Sequence, residues 1–106
     1  MKYSEMIDKL SDYPEFVQDN DLWWGYYLPG YKTEFSMIAF NDEGCSLIYN
    51  NENHVFFKYD EPYLAANTDI PDLTTEIFEN FIKLKLQEIR AYKAAYIEKQ
   101  IKKDFV

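Results

Sequence analysis

The sequence has a single cysteine, Cys45, so no disulfide can form within the chain. A lone cysteine is typical of proteins from a reducing compartment. There is no run of about 18 apolar residues, so we expect no membrane-spanning helix. The N-terminal segment MKYSEMIDKL lacks the uninterrupted apolar stretch of a secretory signal. These absences together predict a cytoplasmic protein.

Residues that carry chemistry are also scarce. His54 is the only histidine, and one histidine with one cysteine cannot build a structural zinc site. In the sheet predicted below, Cys45 and His54 lie on opposite faces, which argues against a nucleophile–base pair. The three glycines, Gly25, Gly30 and Gly44, form no phosphate-binding loop. We therefore predict no catalytic residue, no cofactor, no metal site and no enzyme activity.

The composition is that of one folded domain. The chain has 106 residues, of which 47% are hydrophobic and 19% aromatic, enough to bury a modest core. The formal net charge is −8. This charge disfavours direct binding to nucleic-acid backbones and to anionic membranes, and it favours partners with a basic surface.

The segment 22–59 holds both tryptophans and half of the other aromatic residues. Three turn signals divide it into a predicted four-stranded antiparallel meander: Pro29-Gly30, Asn41-Asp42-Glu43-Gly44 and Asn50-Asn51-Glu52-Asn53. For the second turn we predict a three-residue loop closed by a left-handed Gly44. These turns predict a register in which Trp24 lies opposite Phe35, Ala39 opposite Leu47, and Leu47 opposite Phe57.

The predicted register sorts the strands into two faces, since alternate residues point to opposite sides of a sheet. One face is almost entirely apolar and is the predicted core: Trp24, Tyr26, Leu28, Tyr31, Phe35, Met37, Ala39, Cys45, Leu47, Tyr49, Val55, Phe57 and Tyr59. The other face is mixed and carries an apolar island of Ile38, Phe40, Ile48 and Phe56. This island is either covered by the N-terminal helix, which we favour, or exposed as a binding site.

Helices are predicted on both sides of the meander, which makes the fold class α+β. Residues 3–18 have apolar residues near one helical face, with a break at Pro14, and residues 19–21 form a polar linker. From about 73 to 103 the chain has neither Gly nor Pro, and Asp72 or Thr74 can cap a helix there. Such a helix would be about 45 Å long, so its last turns should extend past the sheet.

The charge is unevenly distributed along the chain. Residues 1–73 contain 14 acidic and 4 basic residues, for a charge of −10, whereas residues 74–106 contain 5 acidic and 7 basic residues, for +2. Many of the acids stand in pairs at predicted turns, such as Asp42 with Glu43 and Asp60 with Glu61. Either these pairs only solvate the turns, or they form an acidic rim that meets a basic groove.

In general character the chain is small, acidic, rich in Tyr and Asn, and free of catalytic motifs. In this it resembles bacteriophage-encoded inhibitors of host defence systems. The resemblance is one of general type and implies a small binding protein that inhibits a host enzyme. The charge of −10 in residues 1–73, with aromatic residues beside its turns, predicts that the target handles nucleic acid, with turn carboxylates in place of phosphates and outward aromatic residues as anchors. The predicted contact residues are Trp23, Tyr27, Tyr31, Asp42, Glu43, Glu52, Asp60 and Glu61.

Two other functions remain open at this stage. A toxin-immunity protein would share the acidity and the small size. A structural subunit that forms homodimers or larger assemblies through the long helix would explain why that helix extends past the sheet.

Overall fold

The computed structural model describes residues 1–20, 22–26, 35–50, 52–61 and 64–104. Within them the chain forms α1 (Tyr3–Ser11), β1 (Val17–Asn20), β2 (Trp23–Tyr26), β3 (Phe35–Phe40), β4 (Gly44–Ile48), β5 (His54–Lys58) and α2 (Thr75–Asp104). The strands form one antiparallel sheet in the order β1-β2-β3-β4-β5. The α+β class, the short N-terminal helix and the long C-terminal helix are thus confirmed.

The sheet has five strands in the described residues, so the predicted number of four is wrong. The extra strand is β1, in a segment predicted as the end of a helix followed by a linker. α1 ends at Ser11, and Pro14 prevents the helix from resuming. Beyond Pro14 the chain extends along β2, with Val17 opposite Gly25, and the ladder satisfies its backbone groups.

The predicted register between β3 and β4 is wrong by one residue. Ala39 lies opposite Ser46 and Phe40 opposite Cys45, because the loop has two residues instead of three. The Asn41 N–H donates to the Gly44 carbonyl at 2.9 Å and closes the turn around Asp42 and Glu43. The Asn41 Oδ1 also accepts hydrogen bonds from the backbone N–H groups of Glu43 (2.8 Å) and Gly44 (3.0 Å).

This slip turns β3 over, because a shift of one residue exchanges the two faces of a strand. Ile38 and Phe40, predicted to lie on the mixed face, join Cys45 and Leu47 in the core, where all four are buried. The predicted apolar island is therefore broken up, with only Ile48 and Phe56 left on the other face.

The other two registers also differ from the prediction. Leu47 lies opposite Val55 instead of Phe57, a shift of two residues that leaves the faces unchanged. Trp24 lies opposite Ile38 instead of Phe35, and after an irregularity that follows Trp24 the next pairs are Gly25 with Ser36 and Tyr26 with Phe35. The predicted Pro29-Gly30 turn lies outside the described residues.

Both helices pack on the same side of the sheet, which we call the inner face. The Tyr3 ring of α1 meets the Phe40 ring edge-on, with centroids 5.2 Å apart. The Phe81 ring of α2 meets Tyr49 in the same way at 5.1 Å. The preferred prediction that the N-terminal helix covers the second face is therefore wrong. In the described residues the molecule has two layers, and its core lies between the inner face and the helices.

The long helix is fixed at its start and near its middle. The Thr74 hydroxyl accepts a hydrogen bond from the Ile77 N–H at 3.2 Å, so Thr74 is the cap. Lys85 is 3% exposed and donates from Nζ to the Tyr49 carbonyl at 2.8 Å. The same ammonium lies 3.1 Å from Glu88 and 5.7 Å from the centre of the Phe81 ring. This lysine therefore links α2 to the end of β4.

The N-terminal amino group ties the start of the chain to the connection before α2. It donates to the Asp69 carboxylate at 3.0 Å and to the carbonyls of Ile70 and Leu73, each at 3.1 Å. These hydrogen bonds are partly buried, and the Asp69 side chain is 43% exposed. Lys2 and Asp69 also form a bridge of antiparallel backbone pairing.

We predict that Gly44→Ala destabilises the protein by about 2–3 kcal/mol, a typical cost of overpacking. A Cβ at this position would overlap the Phe57 carbonyl oxygen and would lie 2.8 Å from Phe56 Cζ and 2.9 Å from Lys58 Cα. Because two of these atoms belong to the backbone of a paired strand, they cannot move aside easily. Chemical denaturation gives the free energy of unfolding of the variant and the wild type.

The matched control is Ser46→Ala, in the same strand and on the same face, which should change stability by less than about 0.5 kcal/mol. Equal stability of Gly44→Ala and Ser46→Ala would contradict the close packing of β5 against Gly44.

We also predict that Tyr59→Phe keeps or raises stability, by up to about 1 kcal/mol, because the Tyr59 hydroxyl is buried and has no hydrogen-bond partner among the described residues. Burial also raises the pKa of this hydroxyl above its usual 10.0. As the pH rises above 10.0 the unfolded chain ionises first, so the wild type loses stability there. The advantage of Tyr59→Phe should therefore widen between neutral pH and about pH 11, as thermal unfolding at the two pH values would measure. A constant difference would be evidence against a buried hydroxyl.

Candidate protein-binding surface

Cys45 and His54 lie on opposite faces of the sheet, as predicted. Cys45 is completely buried on the inner face, whereas His54, which pairs with Ile48, is exposed on the outer face. Burial raises the pKa of the Cys45 thiol to about 12, which keeps it protonated at neutral pH. Because the thiolate is the nucleophile, this cysteine acts as a small core residue.

Among the residues that the structure describes, no three of the types His, Cys, Asp and Glu are grouped so that they could hold a metal ion. In the same part of the chain, neither helix combines the length and the apolar character that crossing a bilayer requires.

A small cleft lies between α1 and α2. It has a volume of about 170 Å³ and is lined by Lys9, Asp12, Tyr13, Glu79, Ile82 and Lys83. Ligand pockets usually enclose about 300–1,000 Å³. The Lys9 ammonium donates to Glu79 at 2.8 Å, and this bond raises the pKa of Lys9 and lowers that of Glu79. The cleft is thus a surface ion pair between two helices and is too small for most ligands.

The outer face carries a row of side chains that crosses four strands. Trp23 lies opposite Ala39, Ala39 opposite Ser46, and Ser46 opposite Phe56. Trp23 is 39% exposed and Phe56 38%, and the two small residues between them are partly exposed. We call these four residues the aromatic row. Because small side chains separate two large rings, the row forms a shallow depression with an aromatic wall at each end.

The Phe56 ring is held in place by Gly44, which lies two residues before Ser46 in β4. A Cβ at Gly44 would lie 2.8 Å from Phe56 Cζ, so the ring rests against the glycine backbone. An aromatic ring over a glycine on the neighbouring strand compensates for the missing side chain.

The outer face is not uniformly open. Met37 lies at the irregularity between β2 and β3, between Ser36 and Ile38, and is completely buried. Val55 belongs to the inner face and is 45% exposed, since it lies on the edge strand. Leu22, next to Trp23, is 47% exposed. The aromatic row therefore does not include Leu22 or Val55.

Four predicted contact acids lie together at one end of the sheet. Asp42 and Glu43 form the β3–β4 turn, and Asp60 and Glu61 follow β5. The backbone joins the two pairs, because the Tyr59 N–H donates to the Glu43 carbonyl at 3.1 Å. All four side chains are exposed. We call these four residues the acidic end.

The aromatic row and the acidic end adjoin each other. Ala39 and Ser46 are each two residues from the Asn41–Gly44 pair that closes the turn, a distance of about 7 Å along the strands. Together they form a continuous surface, which we call the candidate surface. It combines apolar anchors with a carboxylate rim, the usual composition of a protein interface.

The predicted contact residues therefore fall into three groups. Trp23 and the four acids of the acidic end lie on the candidate surface. Glu52 is exposed in the β4–β5 turn, at the opposite end of the sheet. Tyr27 and Tyr31 lie outside the described residues. Phe56 was missed as a contact, because the wrong β3 register placed it in an island with two core residues.

Strand β5 is an edge of the sheet in the described part of the chain. The Tyr49 N–H donates to the Asn53 carbonyl and the Tyr59 N–H to the Glu43 carbonyl, so these are hydrogen-bonded pairs of the ladder. The pattern alternates, so the backbone groups of His54, Phe56 and Lys58 point away from β4. Such an edge beside the candidate surface can pair with an extended segment of a partner, and Lys58 limits non-specific pairing.

Comparison of the chain with family models, curated proteins and solved structures finds no match.

We predict that Cys45 of the native protein reacts very slowly with an aromatic disulfide reagent at mildly alkaline pH. Its side chain is completely buried, so the reagent cannot reach the sulfur. Its thiol pKa is raised to about 12, so very little of the reactive thiolate is present. The release of the reagent's chromophore measures the rate. Unfolding in guanidinium should restore the full stoichiometric reaction, and rapid labelling of the folded protein would contradict the assigned register of β4.

Proposed function

We propose that this protein binds and inhibits a nucleic-acid-handling enzyme by occupying the basic groove in which that enzyme holds DNA or RNA. The observation that carries the proposal is the joining of Asp42–Glu43 to Asp60–Glu61 by the hydrogen bond from Tyr59 to Glu43. It places four exposed carboxylates at one end of the sheet, directly beside an exposed aromatic row.

The acidic end supplies the electrostatic part of the binding. A groove built for nucleic acid is lined with Lys and Arg that neutralise phosphates. Exposed carboxylates carry the same negative sign of charge as the phosphates that the groove normally binds. The charge of −10 in residues 1–73 steers the protein towards the groove. Long-range attraction of this kind mainly raises the association rate and is weakened by salt.

The aromatic row supplies the anchors. Trp and other aromatic residues at the centre of an interface carry much of its binding energy, and exposed charges at the rim carry little. Trp23 and Phe56 stand at opposite ends of the row and can each enter a pocket of the partner. Tyr27 and Tyr31 remain proposed contacts, and Glu52 adds only to the general field because it lies at the far end of the sheet.

The test is inhibition of purified DNA- and RNA-cleaving enzymes with basic grooves, measured as cleavage of a labelled oligonucleotide. We expect inhibition of at least one of them that is overcome by excess oligonucleotide. The double variant Asp42→Lys, Glu43→Lys should lose at least about 100-fold in affinity, since each reversed contact costs on the order of 1.4 kcal/mol or more.

The matched control is Glu5→Lys, Asp8→Lys, which makes the same change in net charge on the exposed side of α1. It should bind within about threefold of the wild type, because rim charges away from a contact change affinity little. Equal losses in the two variants would reduce the role of the acidic end to a general effect of net charge. Inhibition that survives the change at Asp42 and Glu43 would show the electrostatic mechanism to be wrong.

A further inference from the structure

The long helix α2 has two different halves. Residues 75–89 pack on the sheet and include six buried side chains: Phe78, Phe81, Ile82, Lys85, Leu86 and Ile89. In residues 90–104, which we call the distal half, none of the described side chains is buried. The buried side chains of α2 therefore end at Ile89.

The distal half projects beyond the rest of the molecule. A helix of 30 residues is about 45 Å long, whereas strands of four to six residues span at most about 20 Å. The molecule accordingly measures 57 Å along its longest axis and only 27 and 25 Å across. Since a straight helix cannot turn back, the end of the distal half, with Ile97 and Ile101, projects past the part of the sheet that the structure describes.

The distal half is both basic and amphipathic. It contains five basic residues and two acidic ones, for a charge of +3, whereas the remainder of the chain contains 6 basic and 17 acidic residues, for −11. Ile97 and Ile101 stand four positions apart on one side of the helix and are 57% and 52% exposed. Another surface that packed against these isoleucines would bury them.

The helix has little support of its own in this region. An isolated helical segment of about 15 residues is marginal in water. Within the distal half an ion pair joins the Lys102 ammonium to the Glu98 carboxylate at 3.6 Å, and both side chains are strongly exposed. An exposed pair of this kind adds little to the stability of a helix.

We propose that the distal half of α2 docks on the acidic body of a second copy of this chain, by reciprocal exchange in a two-fold dimer. The charges are complementary, +3 against −11, and the protein's own body leaves Ile97 and Ile101 exposed. The same acidic body would be repelled by nucleic acid and by anionic lipid, which disfavours these as the occupants. The dimer concerns α2 and does not depend on the proposed function.

The expected area favours the reciprocal arrangement. One docked segment about 22 Å long and 10 Å wide buries on the order of 450 Å² of total surface, too little for a specific interface. Two such contacts related by a two-fold axis bury roughly 900–1,000 Å², close to the lower limit for a specific complex. We therefore expect a weak dimer that depends on protein concentration and on salt.

Sedimentation equilibrium of the whole chain at low ionic strength tests the dimer. We expect the mass to rise from monomer to dimer with concentration, and the dimer to weaken by at least about tenfold in 0.5 M salt. The variant Ile97→Glu, Ile101→Glu should remain monomeric at every concentration. Both positions lie outside the core, so circular dichroism should show that the sheet and the proximal half remain folded.

Leu84→Glu is the matched control, because Leu84 is 47% exposed on the same helix but belongs to the proximal half. It should dimerise like the wild type. A wild-type chain that is monomeric at all concentrations would overturn the proposal. So would equal dimerisation of the Ile97→Glu, Ile101→Glu variant, or a monomer that binds phosphatidylserine vesicles through the distal half.

Discussion

The turn between β3 and β4 determines most of what the sheet presents to its surroundings. The hydrogen bond from Asn41 to Gly44 makes the loop two residues long, and loop length fixes the register of an antiparallel pair. With this register Ile38 and Phe40 turn towards the helices, and Ala39 and Ser46 turn outward. The same turn carries Asp42 and Glu43 at its tip. The core, the aromatic row and the acidic end thus all depend on one closed turn.

The sequence predicts the elements of this fold better than their alignment. The 3.6-residue pattern and the absence of Gly and Pro identify α2, and Thr74 was one of two predicted caps. β1 could not be recognised, since residues 17–20 read VQDN and the strand forms because an open edge of β2 is available. The β3 register failed because Asn41 to Gly44 suits a two- or a three-residue loop, and the difference depends on backbone contacts that composition does not reveal.

The acidic end was easier to predict than the aromatic row. In a meander β3, β4 and β5 are neighbours, so the turn at Asp42–Glu43 and the exit of β5 at Asp60–Glu61 must share an end of the sheet. The row requires the correct register at three interfaces, since Trp23, Ala39, Ser46 and Phe56 align only when every pair is right. Carboxylates at turns therefore follow from topology, whereas an aligned surface row follows only from the detailed ladder.

The contact of the Phe56 ring with Gly44 has a consequence for recognition. A surface aromatic side chain normally samples several rotamers, and fixing it on association costs on the order of 0.5–1.5 kcal/mol. Against Gly44 this ring rests on a rigid backbone, so part of its freedom is already lost in the unbound protein. One wall of the depression is therefore preorganised, and a partner that fits it gains the contact at a smaller entropic cost.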